Sequence, residues 1–340
     1  MTKLIPQENA VPLWKLSSCA VQGRAHIKNG TPCQDKTLTS YTNGVYAICL
    51  SDGAGSARLS HFGAACVVNN ICELLTTDFD SLYEKDDGRE VKITIVNSIT
   101  EAICKEADKR CCEPKDLAAT MLAVAVKDNR FIIAHIGDGV VGCLKGSELK
   151  VISSPSNGEH ANETYFVTSS GALNTMALFK GCINNISGFV IMSDGTEQSL
   201  YNKRNNTLSN AIIKIMQRNV LIKEETMTSQ LEKTFQEIIS TRTHDDCSIA
   251  ILCRNSETLR TYDNLSTDEK CELFNIASWD NNKKKRIKRY EEILGILKAP
   301  HTCPEVAKII HLKTRFTRNH LDSLCAAGIA TVDKGKYKAT

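Results

Sequence analysis

Apolar positions along the chain follow two different periods, and the switches between them mark the elements. Residues 14–54 read as strands: WKLSSCAVQG alternates as far as Gly23, and VYAICLSDGAG is a short apolar run ending in a turn cluster. From 58 to 76 (RLSHFGAACVVNNICELLT) the spacing becomes helical, which predicts an amphipathic helix starting near Ser60. A second helix is predicted over 90–110. TMLAVAVKDNRFIIAHIGDGVVGCLKGSELKVIS then reads as three or four strands joined by polar turns at Lys127–Arg130, Gly137–Gly139 and Lys145–Ser147. Residues 155–187 are irregular and polar, and GFVIMSDGTE is another strand ending in Asp-Gly. Helices are expected over 206–219 and 223–240, after which THDDCSIAILCR turns into a buried strand. Short strands interrupted by paired helices predict an α/β sandwich of antiparallel sheets covered by helices.

Beyond residue 254 the pattern weakens. Residues 255–283 are polar without a strong period and read as a linker between 1–254 and 284–340. RIKRYEEILGILKA then predicts an amphipathic helix ending before Pro300, and CPEVAKII a second with Pro304 in its first turn. TRFTRNHLDSLCAAG predicts a third, with Leu321, Leu324 and Cys325 on one face and Gly328 as its stop. IATVDKGKYKAT reads as a two-stranded wing around Asp333–Gly335. This order resembles a small winged helix-turn-helix domain, whose third helix would carry Arg315, Arg318 and Asn319 to a nucleic acid or a protein partner.

Charge separates the same two parts. Residues 1–254 hold 26 Lys+Arg against 28 Asp+Glu, while 255–340 hold 16 against 11, so the overall +3 conceals a basic tail. Six of those positives sit in KKKRIKR at 283–289, which usually means a solvated helix face. The excess is modest, and protein docking ranks ahead of DNA for the tail. No run reaches the ~18–20 apolar residues of a membrane span, so no membrane partner is expected. The amino end (MTKLIPQENAVPLWKL) lacks the features of a secretory signal, which predicts a cytoplasmic protein. Fifteen cysteines without a CxxC pair, several of them (Cys49, Cys66, Cys253) inside apolar runs, read as reduced core residues.

The punctuation of the strands carries the chemistry. Acidic residues sit at strand ends in Gln34-Asp35, Ser51-Asp52-Gly53, Gly137-Asp138-Gly139, Ser193-Asp194-Gly195 and Asp245-Asp246. One such Asp is an ordinary turn-former. Five from distant parts of one sheet system would repel one another unless a hard divalent cation joined them.

GRAHIKNGTPCQD at 23–35, LSDGAGSARLSHFGA at 50–64, AATMLAVAV at 118–126, AHIGDG at 134–139, GEHANET at 158–164, VIMSDGTE at 190–197 and HDDCS at 244–248 resemble, in order, the PP2C (PPM) metal-dependent Ser/Thr protein phosphatases, especially the bacterial members. The resemblance spans about residues 12–254. It implies an α+β fold, a four-layer α-β-β-α sandwich of two antiparallel sheets, and hydrolysis of phosphomonoesters by water activated between two Mn2+ or Mg2+ ions. In that reading Asp52 bridges both metals, the Gly53 carbonyl contacts one, and Asp194 and Asp245 bind the second. Asp52, Asp194 and Asp245 form the catalytic set. Asp35 corresponds to the residue holding water near the first metal, Gln34 stands where many relatives have Glu, and Asp138 matches the ligand of a third, weaker ion.

Two positions depart from the pattern. Ala54 replaces a histidine proposed as general acid in many relatives, leaving metal-bound water or His61 for that role. Gly30 replaces the arginine that contacts substrate phosphate; Arg24, His26 or Lys28 is near enough to substitute, and His26 is the expected one. The implied partners are a phosphorylated protein substrate and a cognate Ser/Thr kinase. The alternative is a catalytically weak PP2C-like regulator that binds phosphoprotein or DNA.

Overall fold

The computed structural model describes residues 13–155, 164–255, 259, 262, 265–274, 276–277, 279–327 and 329–339. They form two compact units, Met1–Met216 with Glu224–Asn255, and Gln217–Lys223 with Ser256–Thr340.

The chain opens with β1 (Trp14–Val21), α1 (Arg24–Asn29), β2 (Lys36–Thr42) and β3 (Val45–Ser51), then three helices, α2 (Ser60–Thr77), α3 (Phe79–Glu84) and α4 (Gly88–Arg110). Four strands follow as two hairpins, β4 (Met121–Lys127) with β5 (Arg130–Ile136) and β6 (Val140–Lys145) with β7 (Glu148–Ser153). Next come α5 (Ala172–Thr175), β8 (Ala177–Cys182), β9 (Ile186–Met192), α6 (Asp194–Leu200) and a small hairpin of β10 (Tyr201–Asn202) and β11 (Thr207–Leu208). Helices α7 (Ala211–Leu221) and α8 (Glu224–Thr234) lead to β12 (Cys247–Arg254).

Two five-stranded antiparallel sheets result, ordered β1-β12-β9-β6-β7 and β2-β3-β4-β5-β8. The seven residues of β3 and of β9 are all buried, because both faces of their sheets are covered. One core lies between the sheets, where Ile48, Leu50, Leu122, Val124 and Ile133 meet Phe189, Ile191, Ala250 and Leu252. The second lies outside the second sheet. Val67, Ile71 and Leu75 of α2 and Ile95, Ile99 and Ile103 of α4, each spaced four apart, pack on Ala47, Cys49, Ala123 and Ala125. Helix α8 lies against β1 on the outside of the first sheet. These are the four layers of the expected α-β-β-α sandwich. None of the fifteen cysteines is in a disulfide, with Cys49 and Cys253 in the core, and no helix among the described residues is long and apolar enough to cross a membrane.

Local expectations fail where polar turns or short apolar spacings intervene. The helix expected over 206–219 starts only at Ala211, because the polar run YNKRNNT closes the β10–β11 hairpin with Asn206 at φ 51°. The helix expected over 223–240 is α8 followed by a π turn at Phe235–Ile239, which keeps Phe235 and Ile239 buried.

In the second unit, 255–283 is more than a linker. It holds α9 (Thr267–Leu273), opened by a reciprocal Ser266–Glu269 capping box, and buries Leu259, Tyr262, Cys271 and Phe274. Phe274 stacks at 3.9 Å on Tyr290 of α10 (Lys283–Ile296). These contacts are few and aperiodic, which is why no sequence period reports them. The unit continues through β13 (His301–Thr302), α11 (Cys303–Ile309), α12 (Thr314–Ala326), β14 (Ala330–Asp333) and β15 (Lys336–Ala339), with sheet order β13-β15-β14. Leu321 and Leu324 of α12 are buried, whereas Arg315, Arg318 and Asn319 are exposed. Gly328, expected to stop this helix, lies outside the described residues.

Candidate metal centre

Strand register delivers the acidic turns to one end of the sandwich. In the first sheet Val21 pairs with Cys247, Ile249 with Met192, and Met192 with Val140. In the second, Lys36 pairs with Ser51, Leu50 with Leu122, and Met121 with Ile136. The turns holding Asp35, Asp52, Asp194 and Asp245 therefore share that end, and Asp138 lies in the β5–β6 turn that joins the two sheets there.

A latch around Asp246 holds these turns together. Its buried carboxylate accepts the Gly23 amide at 2.6 Å on Oδ1 and the Gln34 amide at 2.5 Å on Oδ2. His26 Nδ1 lies 2.9 Å from Oδ1. Gln34 Nε2 donates to Ser60 Oγ at 2.7 Å, which ties the same loop to the start of α2. Chain segments meet at van der Waals limits here: a Cβ at Gly195 would sit 2.0 Å from the Asp246 carbonyl oxygen, and one at Gly23 2.3 Å from the Asp245 carbonyl carbon. Only glycine fits at either place. Asp52 is pinned separately, its amide donating to Thr120 Oγ1 and its carbonyl accepting the Thr120 amide, both at 2.8 Å.

The remaining carboxylates are not satisfied in this way. Asp35 is fully buried; its Oδ2 accepts from Ser248 Oγ at 2.7 Å, while Oδ1 has no hydrogen-bond partner. Loss of solvation, tempered by the Ser248 hydroxyl and worsened by Asp246 and Asp194, pushes its pKa up to about 7. Asp52 is pushed well above the ordinary range, by loss of solvation first and then by Asp35, Asp194, Asp245 and Asp138. Asp194 rises to about 6, from loss of solvation and then Asp138 and Asp245, with its contacts to the Asp52 side chain and the Gly195 backbone holding it down. Asp194 Oδ1 is likewise buried without a partner. Five carboxylates thus share one electrostatic neighbourhood.

Among the described residues no three His, Cys, Asp or Glu side chains already converge as a coordination set. The donors nevertheless fit hard divalent cations. They are carboxylate oxygens, two of them buried and unpartnered, and their raised pKa values express lost solvation first and mutual repulsion second, both of which bound positive charge would relieve.

The other expected residues take varied places. Gly53 donates its amide to the Gln34 carbonyl at 3.3 Å and forms a bridge to Ala119, beside Asp52. Asp138 Oδ2 accepts from Thr164 Oγ1 at 2.6 Å; the rest of the GEHANET motif lies outside the described residues. Asp245 is exposed, its Oδ1 accepting the Asp246 amide at 2.9 Å. Arg24 Nε and a terminal guanidinium nitrogen donate to the Thr243 carbonyl at 3.2 Å, and His26 is engaged by Asp246. A phosphate contact by Arg24 means giving up these bonds, whereas His26 Nδ1, 2.9 Å from Asp246 Oδ1, makes no hydrogen bond there. His61, in the first turn of α2, has its pKa lowered by burial, Lys36 and Arg110.

Sequence reasoning passed over three residues. Asp246 was grouped with Asp245 although it serves the latch. Ser248, the last residue of HDDCS, orients Asp35. Glu197, three residues after Asp194 on α6, is buried and ion-paired to Lys203. The motifs contained all three residues; only their partners, distant in sequence, were invisible.

A sequence profile described as Protein phosphatase 2C matches residues 22–236. Serine/threonine-protein phosphatase 3 of Escherichia coli (strain K12) is 26% identical over 207 residues, covering 57% of this chain and 78% of that protein. Among solved structures, a bacterial serine phosphatase superposes with TM-score 0.51 at 15% identity, over 71% of this chain and 98% of that one. Serine/threonine phosphatase Stp1 from Staphylococcus aureus does so with TM-score 0.50 at 14% identity, over 75% of this chain and all (100%) of that one. At such identities the two structures speak to the fold alone.

Proposed function

The chain belongs to the protein phosphatase 2C family, and from that premise we propose that it removes phosphoryl groups from serine and threonine residues of proteins using two Mn2+ or Mg2+ ions. The observation that carries the proposal is the group of acidic turns at one end of the sandwich, with the pKa values of Asp52 and Asp194 raised by burial and then by neighbouring aspartates, and oxygens of Asp35 and Asp194 left unpartnered.

In this reading Asp52, the Gly53 carbonyl, Asp194 and Asp245 hold the two ions, Asp35 orients water beside them, and Asp138 serves a third, weaker site. When bound, the ions supply Lewis acidity, lowering the pKa of water and neutralising charge on the phosphoryl oxygens. The protein contributes orientation. Asp246 fixes the turns, Thr120 fixes Asp52, and Ser248 points one face of Asp35 away from its free Oδ1. Ala54 offers no acid, and the lowered pKa of His61 keeps its imidazole neutral, so protonation of the leaving alkoxide is assigned to water.

The second unit is proposed to recruit the phosphoprotein or its kinase through Arg315, Arg318 and Asn319, a protein ahead of DNA. A cytoplasmic setting accords with fifteen cysteines, none of them in a disulfide. The test is hydrolysis of p-nitrophenyl phosphate and of a phosphothreonine peptide by the full chain. Activity that requires Mn2+ or Mg2+ and is lost in EDTA is expected. A metal-replete, folded protein with no turnover of either substrate would leave only the regulator.

A further inference from the structure

Beside the acidic turns lies a cleft of about 770 Å³ between α6 and the β10–β11 hairpin. No acidic residue lines it among the described residues, and Lys203 and Arg204 both do. The two basic residues are held differently. Lys203 Nζ is paired to Glu197, whose carboxylate is only 4% exposed while the Lys203 side chain is 63% exposed. Glu197 stands three residues from Asp194 on one helix, so both acids share a face and the ammonium lies at the margin of the acidic end. Arg204 is exposed and has no acidic partner among the described residues.

The hairpin is braced in place. Asn206 Oδ1 accepts from Tyr201 Oη at 2.8 Å and from Ser154 Oγ, just past β7, at 3.2 Å, and the Asn205 amide donates to Asn202 Oδ1 at 3.2 Å. An unpaired guanidinium and a half-engaged ammonium on a braced turn, lining a recess with no acid among its described residues, form a receptor for an anion. A neighbouring site that accepts a phosphorylated side chain supplies the kind of molecule that bears one.

We propose that this cleft is a specificity subsite that binds an anionic side chain, a carboxylate or a second phosphate, flanking the phosphorylated residue of the protein substrate. The inference rests on the phosphatase reading and adds a substrate preference to it. Glu197 sets the position of Lys203, and the exposed ammonium and guanidinium receive the flanking anion through charge-assisted hydrogen bonds.

The test compares kcat/KM of the full-length protein for four phosphothreonine peptides that differ only in flanking residues: alanine, aspartate, lysine, or a second phosphothreonine. The wild type is expected to favour the anionic flanks over alanine by at least roughly fivefold at low salt. The aspartate and diphosphorylated peptides tell which source of the anion fits better. Lys203→Met and Arg204→Met should each shrink the preference, and Lys203→Glu with Arg204→Glu should turn it toward the lysine-flanked peptide. A purely structural role for the hairpin changes all four substrates alike and inverts nothing. If Lys203 variants do not fold, the exposed Arg204 pair of variants decides the matter alone. Equal kcat/KM on all four peptides by an active wild type, or a preference that survives both charge reversals, overturns the subsite while leaving the phosphatase intact. No turnover of any peptide overturns the reading beneath it as well.

Discussion

Asp245 and Asp246 are neighbours in sequence and opposites in environment. Asp246 is buried, with both oxygens accepting backbone amides 223 and 212 residues away in the chain, on Gly23 and Gln34. Asp245 is exposed, and it joins Asp35, Asp138 and Asp194 in raising the pKa of Asp52. One region of this end of the sandwich is a closed hydrogen-bond latch and the other an open group of like charges. A carboxylate with its acceptor sites filled stabilises a fold; one with vacant acceptor sites among like charges costs stability and becomes a ligand. The latch thus offsets repulsion in the region it borders.

Substitutions in the two regions should separate the two roles. Asp52→Asn and Asp194→Asn are expected to lower kcat by at least ~100-fold, since under the proposed two-metal function each removes a metal-binding charge where metal electrostatics would carry most of the catalysis. In EDTA their melting temperatures should equal or exceed that of the wild type, because a neutral amide escapes the lost solvation and the repulsion that hold the pKa of each carboxyl high. Asp246→Ala should do the reverse in its cause, losing activity through the fold. Two backbone amides lose a charged acceptor, a destabilisation of roughly 3 kcal/mol measurable by urea unfolding. If Asp246→Ala proves as stable as the wild type, or Asp194→Asn retains a tenth of wild-type kcat at saturating Mn2+, the contrast between the regions collapses.

The pH dependence sharpens the contrast further. Asp35 near 7 and Asp194 near 6 sit above the ordinary carboxylate value, so the folded metal-free protein holds protons that the unfolded chain has released. Their contribution to stability is present at low pH and is lost as pH rises through those values. His135, buried with its pKa lowered to about 4, has the opposite sign, but its contribution is already complete above pH 6.5. In EDTA the melting temperature should therefore fall between pH 6.5 and 8, and Asp35→Asn should flatten that slope. With Mn2+ present the slope should vanish or reverse, because metal competes with the same protons. A flat EDTA profile for the wild type would mean that Asp35 is ionised throughout.

Strand periods and acidic punctuation made the sandwich legible, because apolar runs such as VYAICLS and GFVIM are buried on both faces and their ends must turn. The five aspartates were legible for the same reason, each standing beside the end or the start of a strand. The latch was not. Asp246 looks like one more turn acid until Gly23 and Gln34 are brought beside it. The hairpin at 201–208 was hidden within a weak helical pattern, and 255–283 concealed core residues such as Phe274 because a contact with one ring leaves no period. What sequence omits here is partner identity across long separations, which is where the division between satisfied and unsatisfied carboxylates is decided.

Ser248 links the two regions, and its substitution is the mildest test. Its backbone is fixed by Ser193, whose Oγ accepts the Ser248 amide at 3.0 Å, and Thr196 Oγ1 donates to its carbonyl at 2.9 Å. Its hydroxyl alone reaches Asp35, and that bond holds the Asp35 pKa below what burial would otherwise impose. Ser248→Ala leaves the backbone contacts in place and removes only this donor. The Asp35 pKa should then rise, so that protons compete better with metal at neutral pH. The Mn2+ concentration for half-maximal activity is expected to increase by roughly tenfold at pH 7, typical of losing a hydrogen bond that orients a ligand. By pH 8.5 the gap should narrow, since Asp35 is ionised in both proteins. A gap of constant size across that range would mean that Ser248 acts by placing the carboxylate and not by tuning its proton affinity. No gap at any pH would remove Asp35 from the metal centre and confine the open region to Asp52, Asp138, Asp194 and Asp245.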